Sequence, residues 1–164
     1  MTQRRSGKSL ASPRDGSPAR QLASFLAKYT PAVAKVARAA HRKMRQRLPG
    51  AIELVYDNYN ALVIGFGPSE RPSEAIFSLA MMPRYVVLCF LHGAKLKDPD
   101  KRLRGSGNQV RNVILRSAAD IDKPTVSDFI AQALTLSPKT IDPTGKRRMI
   151  IKSIAVRQRP RRPG

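Results

Sequence analysis

The chain has 164 residues, of which 41% are hydrophobic and 5% aromatic, with no tryptophan and one cysteine. That suffices for one apolar core but excludes a disulfide framework and a clustered Cys/His zinc site, and the apolar run 85–91 is far short of the roughly 20 residues that cross a bilayer. Thirty-one Lys and Arg against 11 Asp and Glu leave a formal charge of +20, which points to an anionic partner and to no membrane span.

The charge is segregated. Residues 1–20 hold five basic residues and one acid, and 21–47 hold seven basic residues and none. Residues 48–136 balance ten basic residues against nine acids, while 137–164 carry nine against one. A nearly neutral core is thus flanked by cationic segments.

Residues 1–20 have almost no large apolar side chain and are expected to form a disordered basic N-terminal tail. An Arg- and Ser-rich, acid-poor composition also suits an organellar targeting segment; the tail is the reading adopted, with a cytoplasmic location. From Leu22 the apolar residues Phe25, Leu26, Tyr29, Val33, Val36, Ala40 and Met44 recur every three or four positions, which predicts helix. Pro31 interrupts that run. It predicts a restart with Thr30 as N-cap and Pro31 as the first helical residue. On the second helix Lys35, Arg38, Arg42 and Arg45 fall within an arc of about 80°, opposite its apolar stripe.

Strand periodicity follows at about 51–57, 60–67, 74–81, 84–91 and 110–116. Asp57-Asn58-Tyr59-Asn60 reads as a hairpin turn, because Asn and Asp tolerate left-handed backbone. A last helix is expected over 124–136, capped by Asp122. The remainder, 137–164, reads as a basic C-terminal extension, mostly disordered, with 149–156 as an extended segment.

Catalytic and metal-binding patterns are not found. His41 and His92 lie in different elements without ligand-spaced neighbours, and Cys89 sits in the most apolar strand as a buried thiol. One loop is suggestive: Lys101, Arg102 and Arg104 lead into Gly105 and Gly107, followed by Arg111. Paired glycines can turn successive backbone N–H groups into one concavity, and flanking cations add attraction for phosphate. No basic–aromatic alternation marks a stacking platform for single strands.

The runs 52–57, 64–67 and 86–94 and the segment Leu103-Arg104-Gly105-Ser106-Gly107-Asn108-Gln109-Val110-Arg111-Asn112-Val113 resemble the YdhG-like family of domains of unknown function, over about 22–136. The resemblance implies an α+β two-layer fold, an antiparallel sheet of about five strands with helices packed on one face. Some relatives are described as frataxin-like intracellular iron chaperones. That role rests on an acidic first helix and strand, since ferrous iron prefers carboxylate and imidazole ligands. Residues 16–52 here contain no Asp or Glu.

The sequence therefore points to one domain over 21–136 between two basic tails. Its expected role is a non-enzymatic binding module, without a cofactor, for an anionic partner such as nucleic acid. The candidate contacts are Lys35, Arg38, Arg42, Arg45, Lys101, Arg102, Arg104, Gly105, Gly107 and Arg111. The alternatives are an iron chaperone and a small-ligand protein or enzyme whose site residues the sequence does not name.

Overall fold

A computed structural model describes residues 16–164; the expectations for 1–15 lie outside that range. Helix α1 (Pro18–Leu26) opens with Ser17 accepting from the Arg20 N–H, so residues 18–20 are helical and not part of a tail. Helix α2 (Pro31–Arg47) starts where the proline predicts, with the Thr30 hydroxyl accepting from the Val33 N–H at 3.3 Å. After α2 the chain turns through Gly50 at φ 82, where a Cβ would stand 1.9 Å from the Asp142 carbonyl oxygen. Only glycine fits there.

Five strands then form an antiparallel meander: β1 (Ile52–Asp57), β2 (Leu62–Gly67), β3 (Phe77–Met81), β4 (Val86–Phe90) and β5 (Arg111–Leu115). The β1–β2 turn closes with the Asn58 N–H donating to the Ala61 carbonyl. β3 begins at Phe77 and not near 74, because Pro72–Glu74 forms a 3-10 turn. Helix α3 (Pro124–Leu136) has Lys123 at its N-cap position with no side-chain cap. Asp122, expected there, instead faces α2 and pairs with Lys43 and Arg47.

The C-terminal extension corrects the expected boundary at 136. Residues 148–154 form a sixth strand, β6 (Arg148–Ile154), parallel to β1 with a register shift at Val55/Tyr56. The sheet order is β5-β4-β3-β2-β1-β6, mixed and not purely antiparallel. Beyond β6 the chain stays docked: Ala155 and Arg159 donate backbone N–H groups to the carbonyls of Asp57 and Tyr59.

The three helices cover one face of the sheet. Register aligns Val55, Ile64, Leu79, Leu88 and Val113 in a row beneath them. A second row carries Phe66, Phe77 and Phe90, the last stacked edge-on against Phe129 of α3 at 5.8 Å. Tyr29 pins the α1–α2 junction to the sheet: its hydroxyl donates to the Met81 carbonyl at 2.8 Å and accepts from the Leu62 N–H at 3.1 Å. Cys89 lies on the opposite face beside Ser78, half-buried, and burial raises its thiol pKa. Among the described residues no helix is long and apolar enough to cross a membrane.

Candidate anion-binding surface

The sequence places seven cations on and beside α2, and the structure sorts them. Lys28 donates to Asp57 at 2.7 Å, and Lys43 and Arg47 both reach Asp122. Arg45, expected on the open face, turns inward instead. Its Nε donates to Glu53 Oε2 at 2.7 Å and its Nη2 to Oε1 at 3.2 Å, while His41 Nε2 lies 2.8 Å from Oε1. Glu53 is 1% exposed. Burial alone would raise its pKa, but the hydrogen bonds from His41 and Arg45 outweigh that and hold it below the ordinary value. Arg45 therefore serves the α2–β1 contact.

Lys35, Arg38 and Arg42 remain. All three are exposed and make no ion pair with any described residue. At a rise of about 1.5 Å per residue they span about 10 Å of the helix axis. Cations whose carboxylates are supplied within the fold add little external field, whereas unpaired ones are available to a polyanion.

The glycine loop behaves differently from its sequence reading. The Asp98 carboxylate accepts the N–H groups of Arg102 and Leu103 at 2.8 and 2.9 Å, which places an acid against the backbone that leads into the glycines. Arg104 pairs by backbone with Asn112 and donates Nη1 to the Asn112 side chain at 3.3 Å. Arg111 folds back, donating Nη1 to the carbonyls of Gly107 at 2.6 Å and Val110 at 2.8 Å. Gly105, at φ 121, supplies the left-handed turn that this closure needs, and Gly107 has open space around it. Lys101 and Arg102 stay exposed at the rim. The loop is thus a turn into β5 in which Arg104 and Arg111 are drawn onto the chain's own acceptors and away from an external anion.

Two arginines escaped the sequence reading. Arg84 and Arg116 flank a groove of about 240 Å³ between the first turns of α2 and the ends of β4 and β5. Each sits alone among apolar neighbours in the sequence, so no charge run marked them. Elsewhere a smaller cavity of about 60 Å³ lies by His92 and Lys95 under the end of α3. Among the described residues no group of three or more His, Cys, Asp or Glu side chains converges as a metal site.

Comparison with known protein families, with curated proteins and with solved structures found no match.

Proposed function

We propose that this protein is a non-enzymatic binding module whose α2 surface meets a polyanion, nucleic acid in the first place. One observation carries the reading. Every other cation on or beside α2 is committed to a carboxylate of the fold, while Lys35, Arg38 and Arg42 point to solvent without one. Each strand of duplex DNA carries one phosphate per about 3.4 Å of axis, so about 10 Å of helix runs past about three phosphates of the nearer strand. The core beneath α2 is rigidly tied to the sheet through Glu53 and Tyr29, so the array is presented on a fixed element. Among the described residues no set of side chains on α2 is arranged to read base edges by hydrogen bonds, which makes the recognition electrostatic and tolerant of sequence. A YdhG-like identity for residues 22–136 belongs to the same proposal, with a cationic α2 where iron binding would need an acidic helix.

Fluorescence anisotropy with two labelled 20-base-pair duplexes of unrelated sequence tests it. The wild type should bind both comparably at low salt. A triple variant, Lys35→Gln, Arg38→Gln and Arg42→Gln, should weaken both alike without changing the thermal midpoint. Absence of binding, or binding unchanged in the triple variant, would contradict the reading.

A further inference from the structure

The groove between α2 and the β3–β4 turn carries a more specific content, which rests on the polyanion reading above. Its floor and one wall are apolar: Ala32, Val33 and Val36 of α2, with Ile114 of β5 across from them. Its rim holds Arg84, Tyr85 and Arg116, and no acidic residue lines it. Arg84 and Arg116 are exposed and have no ion pair among the described residues. Tyr85 and Ile114 are among the large apolar side chains left exposed, at 37% and 36%. The tight turn that carries Arg84 and Tyr85 is closed by the Met82 N–H donating to the Tyr85 carbonyl at 2.8 Å, so both side chains project from a fixed backbone.

An aromatic ring, an apolar floor and two uncompensated guanidinium groups suit a ligand with a flat apolar body and flanking negative charge. Bases of single-stranded nucleic acid have that chemistry, because every base offers a π-face and each is bracketed by phosphates. A duplex hides its bases in the stack and offers only the phosphates. The groove volume is below the roughly 300 Å³ at which sites for drug-sized ligands begin, so it suits one ring and not a whole dinucleotide cofactor. Lys35 lies one helical turn along from Ala32, which places the unpaired cations of α2 beside the groove.

We propose that this groove seats one base of a single strand, with Arg84 and Arg116 on the phosphates either side and the strand continuing along Lys35, Arg38 and Arg42.

The test compares three labelled probes on the full chain: a ten-residue oligothymidylate, an abasic ten-mer with the same phosphates, and a duplex. Tyr85→Ala should weaken the oligothymidylate about 5- to 150-fold, the range of base–aromatic stacking. Tyr85→Phe should retain binding. The abasic strand and the duplex should be indifferent to both changes. Arg84→Gln with Arg116→Gln should lower the log–log salt slope on the single strand by about 0.7 per residue. Equal losses on all three probes, or none on the oligothymidylate with the fold intact by circular dichroism, would overturn the base seat. So would equal binding of polyglutamate, which brings charge without a ring. If Tyr85→Ala has no effect while the α2 triple variant loses binding, the base seat falls and the polyanion reading stands. If no nucleic acid binds at all, both fall.

Discussion

Arg161, beyond β6 in the C-terminal extension, is 5% exposed, the kind of burial a lone cation does not tolerate without partners. Its Nη2 donates to Asp57 Oδ1 at 2.8 Å and to the Asn58 carbonyl at 2.6 Å, its Nη1 reaches the Tyr59 carbonyl at 3.3 Å, and the guanidinium lies 5.9 Å from the Tyr29 ring centre. Asp57 is fully buried. Burial alone would raise its pKa, but hydrogen bonds from Lys28, Gln158 and Arg161 hold it below its ordinary value. Arg161→Met removes the charge and keeps much of the volume. Stripping one partner from a buried pair costs about 3–5 kcal/mol when the other charge is left alone. Here Lys28 remains at 2.7 Å from Asp57, and the variant also relieves a buried Arg161 Nε that has no partner. The expected loss is therefore about 2–3 kcal/mol. For a chain of this size that lowers the thermal midpoint by about 4–12 °C. Thermal unfolding followed by circular dichroism at 222 nm reads it directly. A shift below about 1 °C would refute the reasoning, since it would mean that the last turn of the chain is not docked on β1.

Truncation after Asp142 removes β6 and Arg161 together, so it should abolish cooperative unfolding or lower the midpoint by more than Arg161→Met does; an unchanged midpoint would show that the five-stranded meander suffices alone. Acid should destabilise the fold with a definite sign. Glu53 and Asp57 are held below their ordinary values of 4.5 and 3.8, so their stabilisation is complete above those values and is lost as pH falls through the lower native ones. Glu53→Gln should flatten that acid limb in urea titrations at pH 2–5, and an equally steep limb in the variant would move the effect elsewhere. Ferrous iron, titrated calorimetrically under anaerobic conditions, should show no saturable micromolar site, because α1 and α2 contribute no carboxylate; a saturable isotherm would reopen the iron reading.

The helix boundary at Thr30-Pro31 and the meander of β1 to β5 were legible because their signals are local: a proline with its cap, a period of two, and Asn/Asp turns. β6 was not. Its partner β1 lies nearly a hundred residues earlier, and Arg-Met-Ile-Ile-Lys-Ser-Ile between basic runs looks like a solvated edge until β1 is beside it. Asp122 reads as a helix cap, but Lys43 and Arg47 draw it across to α2. Arg45 has the same helical spacing as Arg38 and Arg42, and only the return of β1 brings Glu53 beneath it. The glycine loop showed its cations plainly, while the commitment of Asp98 to the amides of Arg102 and Leu103 depends on a backbone path that spacing does not reveal. Arg84, Tyr85 and Arg116 are brought to one groove only by the pairing of β4 with β5, which matches Val86 to Leu115.

The salt dependence of binding to a 20-base-pair duplex tests the central claim most directly. Each phosphate neutralised contributes about −0.9 to the slope of log affinity against log salt. Lys35, Arg38 and Arg42 should thus account for about −2.7 of the wild-type slope, and the triple glutamine variant should be flatter by about that amount. Arg45→Gln should leave the slope unchanged while lowering thermal stability, because its partner is Glu53. A triple variant with the wild-type slope, or an Arg45→Gln variant as flat as any one of the three, would contradict the account.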